Sequence, residues 1–124
     1  MTIDLTQQDA HSVTIDGRVF RFEQRIQETL VFGDKAFVLL NGFDFPEDDP
    51  NGGRNVFAYG AGGELLWRIE DAEFTARGRD GELVPQGYTD IWIEDGELKA
   101  DQPIGCECTI DPETGKILKE QYHR

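Results

Sequence analysis

The feature that most constrains the fold of this chain is a glycine turn signal that recurs between short runs of alternating apolar and polar residues. It occurs at Asp16-Gly17, Gly62-Gly63, Asp95-Gly96 and Thr114-Gly115. Such pairs between alternating runs are the strongest short-range indication of a β-hairpin. Because no segment of helical period separates them, the hairpins predict an antiparallel meander.

The alternating runs predict an all-β fold of about eight to ten strands in one domain, residues 1–124. Residues 36–40 are apolar at every position, as is typical of a strand covered on both faces, and we expect this strand at the centre. A curled sheet, a small barrel or a two-sheet stack would each satisfy the pattern. Residues 41–54 and 70–87 are polar and rich in Gly or Pro, which predicts two long loops.

The charge of the chain bears on its partners. With 25 acidic and 12 basic residues, the formal net charge is -13. Such a surface repels phosphate backbones and anionic lipids, so neither nucleic acid nor a membrane is an expected partner. It favours a cation or a basic protein, or it only keeps the protein in solution. The sequence shows no signal peptide, no membrane-spanning run and no disulfide framework, and we expect a cytoplasmic protein.

Two segments resemble the blades of quinoprotein-type β-propellers. Residues 55–69 read Asn-Val-Phe-Ala-Tyr-Gly-Ala-Gly-Gly-Glu-Leu-Leu-Trp-Arg-Ile, an apolar strand, a Gly turn and a strand containing Leu-Trp. Residues 110–118 are similar to the Asp-x-x-Thr-Gly-Lys turn of those blades. A closed propeller needs at least four blades of four strands, and this chain has residues for two or three, so a closed one-chain ring is excluded.

The same layout also resembles that of small uncharacterised bacterial proteins, a kinship that implies no activity. The tryptophan and acidic residues that bind quinone and metal in the propeller enzymes have no counterpart in this chain. We therefore expect no cofactor.

The two cysteines, Cys106 and Cys108, lie two residues apart, so both sulfurs are predicted on one face of a strand. Zinc usually takes four ligands, and both histidines, His11 and His123, lie near the chain ends. The pair is therefore either two small buried apolar side chains or part of a metal site. Whether the thiols are structural or reactive is left open by the sequence.

A loop near the middle of the chain concentrates carboxylates, the oxygen ligands that calcium prefers. Its candidate cation ligands are Asp44, Glu47, Asp48 and Asp49. Prolines fall where an EF-hand would carry ligands or its turn, so the loop matches no recognised calcium motif. A solvated acidic loop is the alternative.

No catalytic arrangement is predicted. Ser12 is the only serine, and the chain carries neither a Gly-x-Ser-x-Gly elbow nor a Cys-His pair of a known family. The Gly-rich residues 60–63 lack the Lys-Ser/Thr of a phosphate loop. We expect a protein that is not an enzyme, and an unrecognised carboxylate-based hydrolase is the enzymatic alternative.

The aromatic residues of the two clearest hairpins suggest a binding surface, with core packing as the alternative. The candidate binding residues are Tyr59, Trp67, Tyr88, Asp90 and Trp92. Three of them, Tyr88, Asp90 and Trp92, are predicted to share one strand face, in an amphipathic combination favoured at interfaces.

The charge and the aromatic face together predict a non-enzymatic protein-binding domain. A specific version is an acidic, immunity-like partner that neutralises a basic protein. A small-molecule or cation-binding β-barrel is the alternative, and an unpaired sheet edge would favour a homodimer.

Overall fold

The computed structural model describes residues 3–46, 49, 53–69, 87–102 and 106–122. These residues form three antiparallel sheets of three, four and four strands, each a meander in which sequential strands pair. The all-β antiparallel prediction is therefore confirmed. None of the three sheets is closed into a barrel within these ranges. The sequence left a curled sheet, a small barrel and a two-sheet stack open, and the described residues form three separate sheets.

The N-terminal sheet consists of β1 (Leu5–Asp9), β2 (Ser12–Ile15) and β3 (Arg18–Arg21). The turn between β2 and β3 is the predicted Asp16-Gly17 pair, and both residues have positive φ, 48° and 85°. Two consecutive positive φ angles give the type I′ turn, whose twist matches that of the flanking strands. The first strand, β1, was not predicted because its sequence, Leu-Thr-Gln-Gln-Asp, lacks apolar alternation.

The middle sheet consists of β4 (Ile26–Phe32), β5 (Lys35–Leu40), β6 (Val56–Tyr59) and β7 (Leu65–Arg68), paired in that order. Every residue of β5 is buried, which confirms the prediction of a central strand covered on both faces. Two single-turn 3-10 helices, Gly42–Asp44 and Ala61–Gly63, follow β5 and β6.

The C-terminal sheet consists of β8 (Asp90–Glu94), β9 (Glu97–Asp101), β10 (Cys106–Ile110) and β11 (Ile117–Tyr122). Its first turn is again a predicted Asp-Gly pair with positive φ, 52° at Asp95 and 77° at Gly96. Of the loop predicted over 70–87, residues 70–86 lie outside the described residues.

The three sheets stack in chain order, with one apolar cluster in each gap. Phe37 and Leu39 of β5 face the C-terminal sheet, whereas Val38 and Leu40 face the N-terminal sheet. The period of two along a strand produces this division. The cluster between the middle and C-terminal sheets includes Val56, Ala58, Trp67, Ile69, Tyr88, Ile91, Leu98, Ala100, Cys106, Cys108 and Ile110. The other includes Ile3, Val13, Ile15, Ile26, Ala36, Phe45 and Tyr59.

A buried amide, Asn55, links the end of the middle sheet to the segment that enters β8. Its Nδ2 donates to the carbonyl oxygens of Leu40 and Tyr88 at 2.8 and 2.7 Å, and its Oδ1 accepts the Tyr88 N–H at 2.8 Å. Asn55 is 0% exposed, so these three bonds satisfy a side chain that is costly to bury unpaired. The bonds thereby fix the chain that leads to the C-terminal sheet.

Candidate functional site

The face of the C-terminal sheet that points away from the core is the candidate site. Ile91, Leu98 and Ala100 point into the core cluster, so their neighbours along each strand point the other way. We call this surface the outer face. Its residues are Asp90, Trp92, Glu94, Glu97, Lys99, Asp101, Glu107, Thr109, Lys119 and Gln121.

Strand register places three carboxylates of the outer face side by side. Asp101 of β9 is directly opposite Asp90 of β8 on one side and Glu107 of β10 on the other. Directly opposite side chains in an antiparallel pair have Cβ atoms about 5 Å apart, and like charges in such pairs are destabilising. A second like-charged pair, Glu94 and Glu97, flanks the turn between β8 and β9. The outer face therefore concentrates negative charge across three strands.

Glu28 of the middle sheet extends this row at its β8 end. Its Oε1 accepts the backbone N–H of Ile91 at 3.2 Å. Burial, together with a hydrogen bond and charge repulsion from Asp90, raises the pKa of Glu28. A raised carboxyl pKa means that negative charge is disfavoured at this point. A positive charge from a binding partner would stabilise the carboxylate form of Glu28.

Lysines of the outer face neutralise only part of this charge. Lys99 Nζ donates to Thr109 Oγ1 at 2.8 Å and lies 3.9 Å from carboxylate oxygens of both Glu97 and Glu107. The only other lysine of the outer face is Lys119, and the face carries five carboxylates. The face is therefore net negative before Glu28 is counted.

Trp92 is the aromatic residue of the outer face. It is half-buried and lies opposite Lys99 in the β8–β9 pair. Its indole N–H donates to Glu94 Oε1 at 3.0 Å, which fixes the ring beside a carboxylate. An aromatic face next to a carboxylate suits a guanidinium or ammonium group, which stacks on the ring and hydrogen-bonds the acid.

The other predicted binding aromatics lie in the core. Tyr88 is 1% exposed, Tyr59 is 4% exposed and Trp67 is 8% exposed. Tyr59 packs on Phe20 with ring centroids 4.6 Å apart, and burial raises the pKa of its hydroxyl to about 12. Of the predicted shared face, the structure therefore brings Asp90 and Trp92 together, and Tyr88 lies apart from them in the core.

One residue of the predicted cation loop, Asp44, forms an ion pair with Arg25. Asp44 accepts from Arg25 Nε at 2.9 Å, from Arg25 Nη2 at 2.8 Å and from the Arg25 backbone N–H at 2.8 Å. These bonds lower the pKa of Asp44 to about 2. The backbone N–H of Asp49 donates to the Pro46 carbonyl at 3.0 Å. The remaining candidate ligands, Glu47 and Asp48, lie outside the described residues.

Among the described residues the two cysteines form no disulfide, and both are 0% exposed. Burial is the main reason that the pKa of the Cys108 thiol is raised. Since the thiolate is the nucleophile, a buried neutral thiol is a poor one. Among the described residues, these cysteines and Glu120 form a group of three side chains with metal-binding atoms within 4.8 Å of one another.

Sequence reasoning missed Glu28 and the row of carboxylates. Alternation about the apolar residues of β9 and β10 would have placed Asp101 and Glu107 on one face. The register that sets them beside Asp90, however, depends on the strand pairing. Glu28 belongs to another sheet, and no sequence signal connects it with β8.

No helix among the described residues has the length and apolar character needed to span a membrane. No curated protein matches the chain. Residues 3–122 match the model of a protein family described as a domain of unknown function, DUF7957. The match covers nearly the whole chain, and the protein therefore belongs to the DUF7957 family.

Proposed function

We propose that this protein is a non-enzymatic binding domain whose outer face takes a basic segment of a partner protein. The observation that carries the proposal is the row of Asp90, Asp101 and Glu107 held in cross-strand register. Placing like charges directly opposite each other costs stability in the free protein. A cationic partner would remove that cost and gain charge-assisted hydrogen bonds.

Arginine suits this surface better than lysine. The guanidinium group binds carboxylates through two parallel hydrogen bonds and stacks on aromatic rings. The outer face offers carboxylates beside Trp92, whose indole N–H is already bonded to Glu94 at 3.0 Å. Electrostatic complementarity of this kind speeds association and makes binding sensitive to salt.

A binding domain of this kind has a more specific version. An acidic, immunity-like protein that neutralises a basic partner would use such a face. We assign this protein to the cytoplasm, where the thiols of Cys106 and Cys108 would stay reduced. The strands at the sheet ends are the edges through which a homodimer would pair.

The test compares two variants with the same change in net charge. In the first, Asp90→Asn, Asp101→Asn and Glu107→Gln remove the row. In the control, Asp4→Asn, Glu23→Gln and Glu64→Gln remove three exposed charges elsewhere. Calorimetric titration with an arginine-rich peptide measures the affinity of each at low and at physiological salt.

We expect the row variant to lose at least about tenfold in affinity, because each lost charge-assisted contact is worth about 1.5–3 kcal/mol. The control variant should bind almost as the wild type does. Equal losses in both variants would show that net charge alone attracts the peptide and would refute the outer face as its site. Trp92→Ala should weaken binding of the arginine-rich peptide more than that of a lysine-rich peptide.

A further inference from the structure

The second group of chemically competent side chains lies on the opposite, core-facing side of the C-terminal sheet. Cys106 and Cys108 are two residues apart on β10, so both side chains point into the core. Glu120 of β11 is directly opposite Cys108, and directly paired residues share a face. The two sulfurs and a carboxylate oxygen of Glu120 consequently lie within 4.8 Å of one another.

One polar atom of this group lacks a hydrogen-bond partner among the described residues. Glu120 Oε1 is buried and finds no hydrogen-bond partner among the described residues. A buried carboxylate oxygen without a partner costs free energy, and proteins meet that cost with a hydrogen bond, an ion pair or a metal ion. The neighbouring groups are two thiols, which are weak hydrogen-bond donors.

A second buried polar group, Gln102, precedes Cys106 by four residues. Gln102 is 3% exposed, and its backbone N–H donates to the Cys106 carbonyl at 2.9 Å. Neither its amide oxygen nor its amide nitrogen has a hydrogen-bond partner within the described ranges. Within the described ranges, both Gln102 and Glu120 thus carry buried side-chain atoms that have no hydrogen-bond partner.

We propose that Cys106, Cys108 and Glu120 bind a zinc ion. Two thiolates and one carboxylate form a donor set that suits zinc, whereas calcium and magnesium take oxygen ligands throughout. Ligand atoms around tetrahedral zinc at about 2.3 Å lie about 3.8 Å apart, so atoms within 4.8 Å need only small side-chain movements. Three protein ligands leave a fourth position for water or another side chain.

Metal binding at this site has a defined proton balance and a route of entry. The two cysteines are thiols in the free protein, and each releases its proton to solvent as its sulfur bonds to zinc. β11 is the end strand of its sheet within the described residues, and Glu120 is only partly buried. The ion therefore reaches the thiols from the β11 edge. The site is on the opposite side of the sheet from the outer face and does not depend on the proposed function.

The experiment uses the full chain, reduced and free of metal, titrated with Co²⁺ and then with Zn²⁺. Cobalt bonded to thiolate gives sulfur-to-metal charge-transfer absorption, which carboxylates on this acidic surface cannot produce. We expect this absorption to saturate at one ion per chain and to be displaced by Zn²⁺. Binding should also raise the melting temperature, because the ion binds the folded state.

Two variants identify the ligands. Glu120→Gln keeps the shape of the side chain and should weaken metal binding by at least about tenfold while the thiolate absorption persists. Glu64→Gln, at an exposed position outside the group, should bind metal as the wild type does. Cys108→Ala should lose most of the charge-transfer absorption, with circular dichroism checking its fold.

The folded, reduced wild type could instead show no charge-transfer absorption at any Co²⁺ concentration, which would overturn the proposal. An unchanged affinity in Glu120→Gln would remove the carboxylate from the site and leave only a cysteine pair, which also contradicts it.

Discussion

The indole N–H of Trp67 donates to the backbone carbonyl of Pro112 at 2.8 Å and joins two sheets across 45 residues of chain. The same ring lies against the backbone of Gly115, where an added Cβ would be 2.5 Å from Trp67 Cε3. The turn that closes the β10–β11 hairpin therefore also packs against Trp67 of the middle sheet.

Gly115→Ala should destabilise the protein by roughly 3 kcal/mol, because it combines overpacking against Trp67 with an unfavourable positive φ of 76°. Gly96→Ala is the matched control. Gly96 has a φ of 77° and no heavy atom within 4 Å of an added Cβ, so only backbone strain of about 1 kcal/mol applies. Urea unfolding measures both variants. Similar losses in the two variants would mean that the ring does not restrict residue 115.

Asn55→Ala should cost roughly 3 kcal/mol, since it removes the buried side-chain hydrogen bonds to the carbonyl oxygens of Leu40 and Tyr88 and to the Tyr88 N–H. Asn41→Ala provides the comparison. Asn41 Oδ1 accepts the Phe43 N–H at the start of a short 3-10 helix, and the loss of this bond should cost about 1 kcal/mol. Thermal and urea denaturation would reveal the difference, and equal effects would count against Asn55 as a central link.

Asp44→Asn should make the stability of the protein less sensitive to acid. Arg25 lowers the pKa of Asp44 from 3.8 to about 2, so the folded state favours the carboxylate. The resulting stabilisation is complete above pH 3.8 and is lost as the pH falls through about 2. We expect the wild type to exceed the variant by about 1 kcal/mol at neutral pH, with the difference shrinking toward pH 2. Parallel urea titrations of the wild type and the variant, at neutral pH and near pH 2, measure this difference.

Glu28→Gln should stabilise the protein at neutral pH and not in acid. Burial and Asp90 raise the pKa of Glu28 above its ordinary 4.5, so the folded state holds its proton more tightly than the unfolded state does. The free energy of unfolding therefore falls as the pH rises from 4.5 through the raised pKa. The glutamine keeps an oxygen for the Ile91 N–H and has no charge to lose. A variant that is less stable than the wild type at pH 7 would contradict this assignment.

Local turn chemistry explains how much of the fold was predictable. Asp16-Gly17 and Asp95-Gly96 adopt the conformation that such pairs favour, and residues 36–40 form the central strand that their apolar sequence indicates. β1 escaped prediction because a polar strand is held in place by its pairing with β2 and not by its own pattern. The separation into three sheets depends on which apolar faces meet, and that is a property of the assembled chain.

The sites were less predictable because each one arises between strands. Sequence spacing placed Cys106 and Cys108 on one face, yet Glu120 reaches them only because a register shift follows Thr109 in the β10–β11 pair. Two aromatic residues that the sequence suggested for binding are instead buried. Tyr59 and Trp67 lie in strands that are covered on the relevant face, and the sequence carries no signal of what covers them.

The complete burial of β5 has a consequence for how the chain can be divided. Removing the N-terminal sheet would bare Val38 and Leu40, and removing the C-terminal sheet would bare Phe37 and Leu39. Either truncation would leave an apolar face of the middle sheet exposed to water, which is unfavourable. The stability of the N-terminal and C-terminal sheets is therefore coupled through β5. A shortened version of the protein would need another layer to cover the exposed face of this strand.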